Sequence, residues 1–169
     1  MESKKVIVPN DILFEQVSEI IAKGKEVTIL TKGNSMLPFI RGDKDSAVLK
    51  SFKELAVRDI VLAEIAPGHY VLHRIIEIKD KVTDKTTGKT IYLEGDQRIV
   101  VLMGDGNLAG TEICRVANVK AKAIGVIKNG KRRDCNTSFE RFCATLWKFF
   151  LPFRRILLGV YRRLFYEHI

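Results

Sequence analysis

The 169-residue chain reads as a mainly β protein, a coiled antiparallel sheet or partial barrel, with an N-terminal helix and a C-terminal helical tail. Three observations predict this. Between residues 26 and 128, short runs rich in Val, Ile and Leu recur with Gly, Asp and Lys at their borders, which is how strands and turns are punctuated. Ahead of that stretch, apolar residues fall at helical spacing; behind it, aromatic and basic residues interleave at helical spacing and the β pattern stops. A hydrophobic content of 46% beside 29% charged residues is the balance of a folded domain with a real core, not of a disordered or disulfide-stapled chain.

The first element, within residues 1–25, is a helix that starts after Asn10, a good N-cap, and carries Ile12, Leu13, Val17, Ile20 and Ile21 on one face until Gly24 ends it. The β domain, residues 26–129, holds candidate strands at 26–31, 46–50, 59–65, 69–79, 89–94, 98–103 and 119–128. Hairpin signals at 83–89 (T-D-K-T-T-G-K) and 94–97 (E-G-D-Q) make the sheet mostly antiparallel. At 128–136 (K-N-G-K-R-R-D-C-N) a charged linker is expected, opening a tail at 130–169. Thr137 with Glu140 forms a capping box, and Pro152 divides the tail into helices at 138–150 and 153–166.

Charge is uneven. Of a formal net charge of +9, residues 128–169 contribute +7, from ten Lys or Arg against three acids. Cys114, Cys135 and Cys143 are odd in number and lack metal-ligand spacing, so they read as free thiols in a reducing compartment, and no metal or other cofactor is expected. Residues 1–10 contain no apolar run of the secretory kind, and no stretch reaches the roughly 20 apolar residues a spanning helix needs.

The stretch most suggestive of chemistry is T-K-G-N-S-M-L-P-F-I-R-G-D at 31–43, a polar turn that sets Ser35 close behind Gly33 and ahead of Pro38. A serine hydroxyl becomes a useful nucleophile only with a base in reach and backbone N–H groups aimed at the developing oxyanion. Gly33, Asn34 and Met36 flank Ser35 in this turn. Of three histidines, His168 is near the end and His69 begins a strand, whereas His73 lies inside Y-V-L-H-R-I-I-E-I, where alternation groups it with Val71 and Ile75. Taken alone, such a histidine reads more simply as a satisfied core residue than as a base.

Four boxes in order, S-M-L-P at 35–38, D-I-V-L at 59–62, H-R-I at 73–75 and G-D-G-N at 104–107, resemble those of type I signal peptidases, whose wider superfamily includes the self-cleaving SOS repressors. The resemblance covers about residues 28–128. It implies a coiled antiparallel β domain of the signal-peptidase type, a serine peptidase activity, Ser35 as nucleophile and, since H-R-I is similar to the histidine-using endoplasmic-reticulum branch, His73 as general base. An imidazole accepts a serine proton at neutral pH without the desolvation that a lysine base requires. The resemblance assigns Asp105 of the G-D-G-N box to hold the imidazole, with Asp96 and Glu112 as the alternatives. Arg58 departs from the family's pattern, standing where glycine is usual, and the segment at 80–97 lengthens the path from His73 to Asp105.

Nine of the fourteen aromatic residues fall in 139–169, and Arg141, Lys148, Arg155 and Arg162 recur every seven residues. An aromatic face with a basic margin, in which Trp147 is included, points to a helix lying on an anionic membrane surface; packing of the tail on the β core is the competing expectation. Nucleic acid comes third, because the segment is more apolar than a solvated groove requires. The reading is therefore a serine endopeptidase acting on peptides or proteins near a membrane, peripheral and on the cytoplasmic side. The alternative is an inactive peptidase-like module that binds or regulates at the membrane.

Overall fold

Side chains alternate across a strand, so a sheet with apolar residues on both faces must be covered on both. A computed structural model describes the backbone of residues 10–165 and the side chains of residues 16–165. Helix α1 (Asn10–Ala22) is followed by β1 (Val27–Leu30), β2 (Ser46–Lys50), β3 (Ile60–Ala66), β4 (His69–Lys79), β5 (Lys81–Thr83), β6 (Thr90–Tyr92), β7 (Ile99–Met103), β8 (Glu112–Arg115), β9 (Val119–Lys128) and β10 (Lys131–Asp134). The tail forms α2 (Ser138–Phe149), a 3-10 turn at Leu151–Phe153 and α3 (Arg154–Phe165).

Eight strands make one antiparallel sheet in the order β1-β2-β9-β3-β4-β7-β8, with β10 paired to β9; β5 and β6 form a separate hairpin. The sheet does not close, and β1 and β8 end its main path. One core, on the side of α1, joins Val17 and Ile21 to Met36, Ile40, Leu49 and Leu62. The other joins Val61, Ile75, Val100 and Leu102 to Cys114 and Val116. Neighbours in sequence thus part company: Val61 and Leu62 bury in opposite cores because β3 is covered on both faces.

Three departures from the expected elements have physical reasons. The segment 128–136 is no linker. Asn129 (φ 48°) and Gly130 (φ 75°) make a two-residue hairpin turn with Lys131 opposite Lys128, and backbone pairing to β9 holds K-R-R-D as β10 although all four side chains are exposed. Strand β8, E-I-C-R, buries only Cys114 and exists by pairing with β7. Residues 94–97 hold a 3-10 turn rather than a hairpin. On α1, Val17 and Ile21 are buried but Ile20 faces outward; the capping by Asn10 and the side chains of Ile12 and Leu13 lie outside the described side chains.

Thr137 caps α2, with Glu140 N donating to Thr137 Oγ1 at 3.1 Å, which is the N-cap half of the expected box. No helix among the described residues is long and apolar enough to cross a membrane. The three cysteines are free thiols, and burial pushes Cys114 up to about 11 and Cys135 up to about 12.

Candidate functional site

The turn that carries Ser35 is built from a loop closed at its neck. Thr31 Oγ1 donates to the carbonyl oxygens of Asp45 (2.8 Å) and Arg41 (3.2 Å), and Asp43 N returns to Thr31 O at 2.8 Å. The fully buried Asp45 carboxylate accepts from Arg41 N at 2.9 Å and from its guanidinium at 2.7 and 3.1 Å. Burial opposes the charge on Asp45, but the hydrogen bonds from Arg41 outweigh it and hold the carboxyl below its usual range. Within the loop, Met36, Leu37 and Ile40 are pinned in the core, which fixes the half-buried Ser35 between them and the exposed Gly33 and Asn34. Gly33 adopts φ 71°, a backbone that glycine takes without strain. Met36 contributes packing through its side chain, as a core residue beneath the turn.

The G-D-G-N segment is a tight turn, with Asn107 N donating to Gly104 O at 3.0 Å, and it presses directly on Ser35. Gly106 N donates to Ser35 O at 2.7 Å. A Cβ on Gly104 would overlap Ser35 O and come within 3.0 Å of His73 Nε2; one on Gly106 would overlap Asn34 O. These glycines are needed because backbone meets backbone here, and Gly104 lies between the Ser35 carbonyl and the His73 ring.

His73 sits on β4 opposite Val61, only 5% exposed. Its Nδ1 lies 3.0 Å from Glu112 Oε2, brought there by the pairing of β8 with β7. A carboxylate at Nδ1 favours the tautomer protonated there and leaves Nε2, the atom facing Gly104, as the acceptor. Among the described residues, no direct hydrogen bond joins the Ser35 hydroxyl to His73.

Asp105, expected to hold His73, points to the opposite face of β4 and is taken by Arg74. Arg74 Nε and Nη2 reach its carboxylate at 2.8 and 2.7 Å, and Nη1 donates to Arg58 O at 2.8 Å. Consecutive strand residues face opposite sides, so the residue after His73 is the one that meets Asp105. Burial works against the guanidinium charge, yet Asp105 more than offsets this and Arg74 holds its proton more tightly than usual. Asp96, the other alternative, is exposed in the 3-10 turn, so Glu112 is the carboxylate on the imidazole. Arg58, the departure from the resemblance, has φ 82°, a left-handed backbone of the kind that favours glycine.

The tail packs on this same turn. Trp147 Nε1 donates to Asp105 O at 2.7 Å and its ring meets Phe39 edge-on at 6.2 Å; Arg154 Nη1 donates to Asn107 O at 2.7 Å, with its guanidinium over the Trp147 ring. Arg141 reaches the buried Asp59, 3.0 Å away, which Lys122 also engages at 2.8 Å. Arg141 and Trp147 thus face the β domain rather than outward, whereas Lys148, Arg155 and Arg162 are exposed. Nothing in the tail's spacing distinguished these two sets; only the sheet's position does. No family model matches the chain, nor does any curated protein.

Proposed function

We propose that this chain is a serine endopeptidase of signal-peptidase type. The observation that carries the reading is that the Ser35 main-chain carbonyl and His73 Nε2 flank the same glycine, Gly104, with the other imidazole nitrogen on Glu112. In this mechanism the Ser35 hydroxyl attacks a peptide carbonyl while His73 Nε2 takes its proton. Glu112 keeps the ring in the accepting tautomer and stabilises the imidazolium. Backbone N–H groups around Asn34 and Ser35 hold the oxyanion. His73 then protonates the leaving amine, and water releases the acyl group from Ser35. The left-handed Arg58, where the resembled family has glycine, supports the same reading. The substrates would be precursor peptides or proteins held near a membrane.

A second reading, a binding module without catalysis, draws on the missing Ser35–His73 hydrogen bond, although such bonds often tighten only when substrate is in place. Cleavage of precursor-like peptides by wild type, Ser35→Ala and His73→Ala, read by mass spectrometry, decides between them. Loss of cleavage in both folded variants is the expected result. Activity retained by Ser35→Ala would overturn the mechanism, and peptide binding without cleavage by wild type would favour the module.

A further inference from the structure

The tail helices each divide into an inward and an outward side. Inward on α2 lie Arg141, Ala144 and Trp147; inward on α3 lie Arg154 and Leu158, both buried. Outward lie Phe142, Leu146 and Phe149 on α2, Phe153 in the 3-10 turn, and Ile156 and Val160 on α3, between 45% and 78% exposed. Trp147 and Arg154 tie both helices to one support, the 105–107 turn, so the sides turned away from it form the outer surface of the molecule. Aromatic and aliphatic side chains in that number exceed the scattered exposed residues of ordinary surfaces and mark a contact with an apolar phase.

Charge selects the occupant. From residue 141 to residue 165 there is no Asp or Glu, while Lys148, Arg155, Arg162 and Arg163 are all exposed. A second copy of the same face would set these cations against one another with no acid to answer them. An anionic bilayer answers both features, since its acyl boundary takes the apolar side chains and its headgroups pair with the basic ones.

We infer that the outward side of α2 and α3 is a membrane-binding surface for anionic lipid, seated while the inward side stays locked to the turn beside Ser35. Trp147 belongs to the lock and not to the inserted surface. The inference is independent of the peptidase reading, because it is tested by binding and not by cleavage.

The test is co-sedimentation of the full chain with vesicles of mixed phosphatidylglycerol and phosphatidylcholine. Expected is binding that falls at least tenfold when phosphatidylglycerol is left out, and likewise in the double variant Phe149→Asp with Ile156→Asp. The lone tryptophan provides a check on wild type: acyl chains brominated near the headgroup should quench Trp147 only weakly, since it stays on the protein side. Absence of binding to any vesicle, or strong quenching, would overturn the inference, as would undiminished binding by a double variant with unchanged tryptophan emission. So would a dimer in sedimentation velocity that the double variant dissolves, which would assign the surface to a second copy.

Discussion

His73 and Arg74 are adjacent in sequence but meet different carboxylates, and the proposed mechanism gives the first pair to catalysis and the second to stability. The Glu112 carboxylate meets the imidazole on an edge strand and is partly exposed, whereas Asp105 is buried against a guanidinium. Removing one partner of a buried pair leaves an uncompensated charge and costs about 3–5 kcal/mol. Asp105→Ala is therefore expected to lower the denaturant midpoint sharply. Glu112→Gln should leave that midpoint nearly unchanged and reduce kcat by at least about tenfold, as expected when the carboxylate that orients and stabilises the imidazolium is lost. Parallel denaturation and peptide-cleavage series check the split; a Glu112→Gln variant that cleaves as fast as wild type would remove Glu112 from the proposed mechanism.

Among the elements, the 104–107 turn is held from two sides, by Ser35 below and by the tail above. Arg154 is 3% exposed, and burial lowers its hold on its proton while Asp105 partly restores it. Arg154→Ala removes the hydrogen bond to Asn107 O and the stacking on Trp147 together. Amide exchange at Gly106, whose N–H is bonded to Ser35, is expected to quicken about tenfold, while the central strands β3 and β9 keep their protection. Hydrogen-exchange mass spectrometry reads both regions at once, and equal protection in the variant would show that the turn stands without the tail.

For the whole molecule, acid is the condition that tests the closed loop. The Asp45 carboxyl is held below its ordinary value, so its contribution to stability is present above the unfolded pKa and is lost as pH falls through the folded one. Arg41→Met removes the guanidinium's hydrogen bonds and charge, and leaves the backbone N–H of residue 41 on the carboxylate. The acid-unfolding midpoint of the variant, followed by circular dichroism, should therefore move to higher pH.

How much of this the sequence disclosed follows from what each signal depends on. Strands β2, β4 and β9 are legible because their own residues alternate or run apolar; β10 has no apolar residue and is visible only through Asn129-Gly130, a hairpin signal outweighed in reading by the charges around it. Ser35, His73 and the G-D-G-N turn were legible as types, and the Ser35 carbonyl and the His73 ring both lie against Gly104 of that turn. The partner of His73 was legible only as an alternative, because Glu112 is 39 residues away and arrives through the β7–β8 pairing, whereas the resemblance pointed first to Asp105. In the tail, helical spacing gave the helices and their break but could not say that Arg141 and Trp147 turn inward.

Between the end of β10 and the start of α2 lie only Cys135, Asn136 and Thr137. Three residues reach about 10 Å at full extension. The Asn-Gly hairpin thereby converts a would-be tether into a short spacer anchored to the central strand. A molecule resting on its tail would carry Ser35 at a set height above that surface. The distance of a bond from the bilayer, as much as the residues around it, would then decide whether it is cut, and inserting a flexible segment after Asn136 would blur that gauge.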